Sequence, residues 1–191
     1  MKVGLLALQG AIGPHGDAVR ELGATPVEVR TPAQLADIDA LIIPGGESTT
    51  MSKLLDTSGL AQPLRDRLAD GLPTFGTCAG MIVLARTVLD GRADQNSYDA
   101  IDVTVRRNAF GRQVDSFEAD LAIAGLDDPF HAVFIRAPFV EEVGEGVEVL
   151  ASVDGHPVLC RQGRVLVSAF HPELTGDLRL HQQFLQLAEM A

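Results

Sequence analysis

Along the first half of the chain, apolar runs alternate with segments of helical spacing. Val3 to Leu8 is unbroken apolar sequence, the pattern of a strand covered on both faces. Pro14 to Leu22 reads as a short helix closed by Gly23, which gives one βα unit. PVEV (26–29) and ALIIPGG (40–46) are two further strands. Met51, Leu54 and Leu55 recur at helical spacing behind Ser48 or Thr49, either of which can cap that helix. Leu60 to Ala69 is a further helix. PTFGTCAG then starts as a strand that stops at Gly76, and MIVLARTVL (81–89) continues as a helix.

From Ile101 the pattern changes. IDVTVRR (101–107), HAVFIRAP (131–138), GVEVLASV (146–153), HPVLCRQ (156–162) and RVLVSAF (164–170) are short, valine-rich and partly alternating, with Gly, Asp and Pro turns between them. They predict antiparallel or mixed strands. Leu174 to Met190 closes the chain as a helix. Asp90 to Ala100 (DGRADQNSYDA) is polar enough to predict a mobile loop.

Composition narrows what such a chain does. Its 191 residues suit one α/β domain, residues 1–191, with one core. A formal charge of -11 repels phosphate backbones and anionic headgroups, so neither nucleic acid nor a membrane is expected as partner. Two cysteines far apart, with no C-x-x-C pair, give neither a metal knuckle nor a disulfide framework and fit a reducing cytoplasm. MKVGLLALQG lacks the length of a spanning helix and the small-residue cleavage site of a secretion signal, so it is read as a buried strand.

Three short stretches carry candidate chemistry. Gly76-Thr77-Cys78-Ala79-Gly80 copies the Gly-x-nucleophile-x-Gly pattern of a sharp strand-to-helix turn. At such a turn the positive end of the helix stabilises charge on a nucleophile, and the amide of Ala79 points to where an oxyanion would form. The other reading of Cys78 is a small buried hydrophobe. A thiol nucleophile needs a base, and of five histidines His171 has the strongest context. Pro172 holds it extended, so that Glu173, two residues on, can reach its imidazole. HPE can equally be a capped turn before a helix, with Glu173 facing the helix dipole. His15 at a helix start, His131 and His156 in turns, and His181 on the last helix read as surface or packing residues. The third stretch, Pro44-Gly45-Gly46-Glu47-Ser48, offers backbone N–H groups to an anion. Glu47 and the missing P-loop lysine argue against phosphate. An oxyanion donor at Gly46, with Glu47 and Ser48 near a substrate ammonium, suits the charges better.

In the order GGE, GTCAG, HPE the sequence resembles the class I, triad-type glutamine amidotransferases. LALQGA (6–11), PGGESTTM (44–51), RRNAFGRQVDSFE (106–118) and FHPELTGD (170–177) bring it nearest to the glutaminase-subunit family of pyridoxal 5′-phosphate synthases. The resemblance implies a flavodoxin-like three-layer sandwich with a mixed, mostly parallel central sheet. It implies that Cys78 attacks the side-chain amide of L-glutamine, with His171 and Glu173 completing the triad. Gly46 and Ala79 are then the oxyanion donors, and Gly46, Glu47, Ser48, Arg107, Ile135 and Arg136 bind glutamine. Ammonia passes to a separate synthase subunit, twelve copies of which form the core of a large complex. No cofactor or metal is expected in this chain. The Gln9-Gly10 turn is expected to adjust the oxyanion hole on docking, and a β-branched residue at Gly10 is expected to reduce stimulated activity more than stability. The Leu-Gly pair expected before IDVTV is missing, which bears on that loop and on none of the catalytic positions. Two rival readings are a glutaminase serving another synthase, such as that of histidine biosynthesis, and a non-catalytic regulatory relative on the same sheet.

Overall fold

The computed structural model describes residues 1–92, 95–107 and 116–190. The first half runs β1 (Lys2–Leu6), α1 (Ile12–Glu21), β2 (Thr25–Val29), α2 (Pro32–Ala36), β3 (Ala40–Ile43), α3 (Ser48–Thr57), α4 (Ala61–Ala69), β4 (Thr74–Thr77) and α5 (Ala79–Leu84). The second runs β5 (Ala85–Leu89), β6 (Ile101–Arg106), β7 (Ser116–Leu121), β8 (Phe130–Ile135), β9 (Phe139–Val143), β10 (Glu148–Val153), β11 (His156–Gln162), β12 (Val165–Ser168), a 3-10 turn Pro172–Leu174, and α6 (Arg179–Glu189).

Seven strands form the central sheet in the order β10-β11-β12-β4-β3-β1-β2. β2, β1, β3, β4 and β12 pair in parallel, and β11 and β10 add an antiparallel edge. The sheet is therefore mixed and mostly parallel, as expected. β3, β4 and β12 are buried at every position, which is why their sequences are continuous apolar or small runs rather than alternating ones. Two small sheets, β5-β6-β9 and β7-β8, carry the rest of the second half. Phe75, Phe130, Phe134, Phe170 and Phe184 are fully buried and join the central sheet to β8 and α6 in one core.

Several expectations are corrected. α2 was not expected: at five residues it is too short for apolar periodicity, although Thr31 and Gln34 form a capping box and Pro32 sits at its first turn. The helix after Cys78 ends at Leu84, and Ala85-Arg86-Thr87-Val88-Leu89 is a strand; an apolar run does not by itself distinguish the two, and Thr87 and Val88 favour the strand. β7 and β9 were also not expected. His131 and His156 lie on β8 and β11, not in turns. The last helix starts at Arg179, because the chain first makes its 3-10 turn and Asp177 then accepts a 3.0 Å hydrogen bond from the Arg179 amide.

The polar stretch expected to be a mobile loop is tied down where it is described. The Asn96 amide donates to Ser52 Oγ at 2.9 Å, and Tyr98 is buried with the Arg65 guanidinium 4.9 Å from its ring centre. The central part of RRNAFGRQVDSFE, residues 108–115, lies outside the described residues.

Candidate active site

Cys78 occupies the one-residue corner between β4 and α5, with φ 49° and ψ -102°. A non-glycine residue held there stores on the order of 1–3 kcal/mol of backbone strain, which the surroundings must impose. The Cys78 amide is anchored by a 2.8 Å hydrogen bond to the Ser168 carbonyl at the end of β12. Both flanking glycines are required by close approach: a Cβ on Gly80 would press on the Ile43 carbonyl of β3, and one on Gly76 would lie 2.7 Å from the backbone of Gly80. No side chain caps α5, so its leading amides, beginning with Ala79, are open to an incoming oxygen.

His171 follows β12 and is pinned by a 2.9 Å hydrogen bond from its amide to the Val133 carbonyl on β8. Its Nδ1 lies 2.8 Å from Glu173 Oε1, and the Glu173 side chain is only 2% exposed. With Nδ1 engaged, the Nε2 edge is left for Cys78, which lines the same cavity as the imidazole. Burial disfavours the imidazolium, but the hydrogen bonds and charges of Cys78 and Glu173 outweigh it and push His171 up to about 10. Burial also opposes the Glu173 carboxylate, whose affinity for protons is nevertheless lowered by the bond to His171 and by the nearby imidazole of His15. The arrangement is a thiol sharing a cavity with a cation-forming base that a buried anion holds, the chemical requirement for a thiol nucleophile.

The glycine loop after β3 lies against this pair. A Cβ on Gly45 would sit 3.1 Å from His171 Nδ1 and closer still to Cε1, so only glycine lets the imidazole lie flat on the loop. Glu47, rather than Ser48 or Thr49, caps α3. Its carboxylate accepts from the amides of Thr49 at 3.1 Å and Thr50 at 2.7 Å and from both threonine hydroxyls. Partial burial works against that charge, yet these bonds hold the carboxyl down to about 2. A fixed anion occupies the helix N-terminus where a phosphate would need to be. Gln9 clamps the loop from behind: with its amide oriented to satisfy both partners, it donates to the Glu47 carbonyl at 2.9 Å and accepts from the Glu47 amide at 3.2 Å.

One cavity of about 410 Å³ is lined by Gly46, Glu47, Ser48, Cys78, Ala79, Ile82, Arg107, Ile135, Arg136 and His171. It thus gathers every position expected to bind glutamine or to stabilise its oxyanion. The Ser48 hydroxyl is buried without a partner among the described residues, available to a ligand. Arg107 reaches Gln95 at 3.2 Å and Glu47 at 3.4 Å and is largely buried, unlike a surface ion pair. The Ile135 carbonyl is 3.9 Å from the Cys78 sulfur, and Arg136 is held at φ 46°. Gln9 and Gly10 stand behind the loop, outside the lining. A second cavity of about 380 Å³ between α6 and β10 has no nucleophile paired with a base.

Sequence reasoning missed three participants. Ile82, one turn into α5, forms an apolar wall. His15 and His181, expected at the surface or in ordinary packing, are 0% and 1% exposed and lie behind Glu173. Their position was legible in the periodicity: His15 falls in line with Ala18 and Val19 on α1, and His181 with Phe184 and Leu185 on α6. Among the described residues no group of three or more His, Cys, Asp or Glu side chains is arranged to hold a metal, and no helix is long and apolar enough to cross a membrane.

Known proteins resemble this chain in sequence and fold. Residues 5–190 match the model of the SNO glutamine amidotransferase family. A protein of Mycobacteroides abscessus called pyridoxal 5′-phosphate synthase subunit PdxT is 59% identical over 97% of this chain and 96% of its own length. Proteins of that name from Frankia alni and Mycobacterium tuberculosis are 57% and 59% identical, over 97% and 100% of this chain and 94% and 98% of theirs. A solved structure described as a glutamine amidotransferase superposes with a TM-score of 0.91 at 52% identity, covering 97% of this chain and 98% of that one. A putative GMP synthase subunit from Thermoplasma acidophilum shares the fold, with a TM-score of 0.70 at 14% identity over 98% of this chain and 94% of that one. With its sequence matched over residues 5–190 and its fold in agreement, the chain belongs to the SNO glutamine amidotransferase family.

Proposed function

We propose that the chain is the glutaminase subunit of a pyridoxal 5′-phosphate synthase, with Cys78, His171 and Glu173 as its catalytic triad. The observation that carries this reading is the strained Cys78 corner sharing one cavity with the His171–Glu173 pair and with open backbone amides. The names borne by relatives 57–59% identical over nearly the whole chain point to the same role.

In the proposed reaction the Cys78 sulfur attacks the side-chain amide carbon of L-glutamine. The amides of Gly46 and Ala79 donate to the resulting oxyanion. As the C–N bond breaks, the His171 imidazolium gives its proton to the departing nitrogen, which leaves as ammonia. His171, now neutral, takes a proton from water, which attacks the glutamyl thioester and releases glutamate and the sulfur. Arg107 or Arg136 pairs with the substrate α-carboxylate. Ser48 and the fixed negative charge of Glu47 face the α-ammonium. Because the Glu47 carboxylate already serves as a helix cap, it acts as a charge at a distance more than as a free ligand.

Ammonia goes to a separate synthase subunit, a core of twelve on which glutaminases dock in the cytoplasm. Both cysteines are free, in keeping with a reducing compartment. Residues 1–191 act as one domain, a reading supported by a hydrophobic cluster running from Val3 to Leu185. Gln9 and Gly10, through the Gln9 clamp on Glu47, couple docking to the oxyanion amides. A β-branched residue at Gly10 would not test that coupling cleanly, since φ is 93° and a Cβ would collide with the Gly45 carbonyl. Gln9→Ala is the better probe: stimulated turnover should fall with the melting temperature nearly unchanged.

The direct test is glutamate release from glutamine by the wild type and by Cys78→Ala, with and without a purified synthase subunit. Release that requires both Cys78 and the synthase supports the reading. Release by Cys78→Ala at the wild-type rate, or no release under any condition, would overturn it.

A further inference from the structure

Glu173 is held at only one of its two oxygens by the triad. Oε1 accepts from His171, while Oε2 is buried and has no partner of normal hydrogen-bond geometry among the described residues. A buried carboxylate oxygen without a donor is costly, and it leaves the carboxylate free to pivot. A side-chain donor, His15 Nε2, stands 3.4 Å from Oε2. His15 comes from α1, far from the motifs that form the cavity. On its other edge, His15 Nδ1 lies 2.9 Å from His181 Nε2, and Thr77 Oγ1, next to Cys78, is 3.4 Å from His15 Nε2.

We infer that His15, backed by His181, is a positioning residue that steadies the rear oxygen of Glu173 and so fixes the aim of His171 at Cys78. The inference rests on the proposed triad.

The direction of the bonds follows from which neighbours carry lone pairs. An imidazole that turned an unprotonated Nε2 toward Oε2 would set a lone pair against an anion. Nε2 of His15 therefore carries the proton and Nδ1 accepts. The acceptor Nδ1 in turn requires His181 to present its Nε2–H. The donors are ordered one way, from His181 to His15 and from His15 toward Glu173, whose other oxygen takes the bond arriving from His171. Charge leads to the same assignment. His171 in its protonated form already balances Glu173, so a second buried cation behind the carboxylate would be uncompensated. Burial pushes both rear histidines toward the neutral form, His181 to about 4. Among the described residues Glu173, His171, His181 and Thr77 are the polar groups facing His15, and the Thr77 hydroxyl shares the Nε2 edge with Glu173 at the same 3.4 Å.

The test combines a spectroscopic readout with kinetics. In the full-length protein labelled with 15N-histidine at neutral pH, His15 and His181 should both be neutral with the proton on Nε2. A His15 proton on Nδ1 would overturn the inference whether or not any variant folds. In synthase-stimulated glutamine hydrolysis, His15→Leu should lower kcat about tenfold or more while KM stays within about twofold. His15→Gln, whose amide nitrogen reaches the Nε2 position, should recover most of the loss. Unchanged kcat in His15→Leu, or His15→Gln as slow as His15→Leu at equal melting temperature, would overturn it. Loss of activity in Cys78→Ala alongside full activity in His15→Leu would sink this inference alone. Full activity in Cys78→Ala would sink the triad with it.

Discussion

The chain's two cysteines are both buried and both free, yet the structure treats them differently. Cys160 lies within β11, opposite Val149 on β10 and Val167 on β12, and among the described residues no base stands beside it. Burial alone pushes its thiol up to about 12, so it is inert packing. Cys78 is 7% exposed, but it sits on a strained corner and opens into a cavity that a base, His171, also lines. Burial therefore does not separate a reactive thiol from a structural one. The backbone corner, the neighbouring imidazole and the open amides do.

The sharpest way to break this contrast is to truncate both thiols. Cys78→Ala should lower synthase-stimulated glutaminase activity by more than about 10³-fold. Cys160→Ala should leave the rate within about twofold and cost roughly 1–2 kcal/mol of stability, read from urea midpoints. A rate loss in Cys160→Ala beyond its stability loss would end the contrast.

Next in size is Glu173→Gln, which keeps the shape and removes the anion. A loss of about 10²–10³-fold in kcat is expected, since an amide no longer favours the proton on His171 Nδ1 or the imidazolium. Kinetics at saturating glutamine would show it, and near-normal kcat would mean that the second member of the pair is only a turn former.

The rear histidines give a pH signature. The folded-state value for His181 lies below the unfolded one, so the stability tied to its neutral form is present above about 6.5 and is lost as pH falls toward 4. The drop is worth up to about 3 kcal/mol. His181→Leu should flatten denaturation midpoints measured across that window, with His15 leaving a residual slope of the same sign. Parallel profiles for variant and wild type would contradict the placement.

The smallest effect is expected at the other glycine junction. Glu47→Ala removes the cap from α3 and should cost about 1 kcal/mol in thermal or urea unfolding. The carboxylate, held down to about 2, contributes stability that is present above its ordinary value of 4.5 and is lost as pH falls toward 2. The variant should lack that acid-side loss.

The two glycine junctions also show what was legible in the sequence. GTCAG announced its geometry because small residues at fixed spacing are what a tight corner against β3 demands. PGGES announced an anion-facing loop, but which oxygen caps α3 depends on a side chain folding back over two threonines, and spacing does not encode that. The parallel half of the sheet was readable because buried strands are apolar throughout. β5 and β9 were not, because a short run of mixed residues takes its form from its pairing partners. His15 and His181 were visible as members of apolar faces. Their meeting behind Glu173 depends on how α1 and α6 pack, and no local pattern in either helix records it.

The most direct test of the central claim is covalent labelling with a glutamine-derived diazoketone, followed by peptide mapping. A single adduct on the Cys78 peptide is expected, suppressed by glutamine and by Glu173→Gln, with the Cys160 peptide unmodified. An adduct on Cys160, or a Cys78 adduct that glutamine does not compete away, would contradict it.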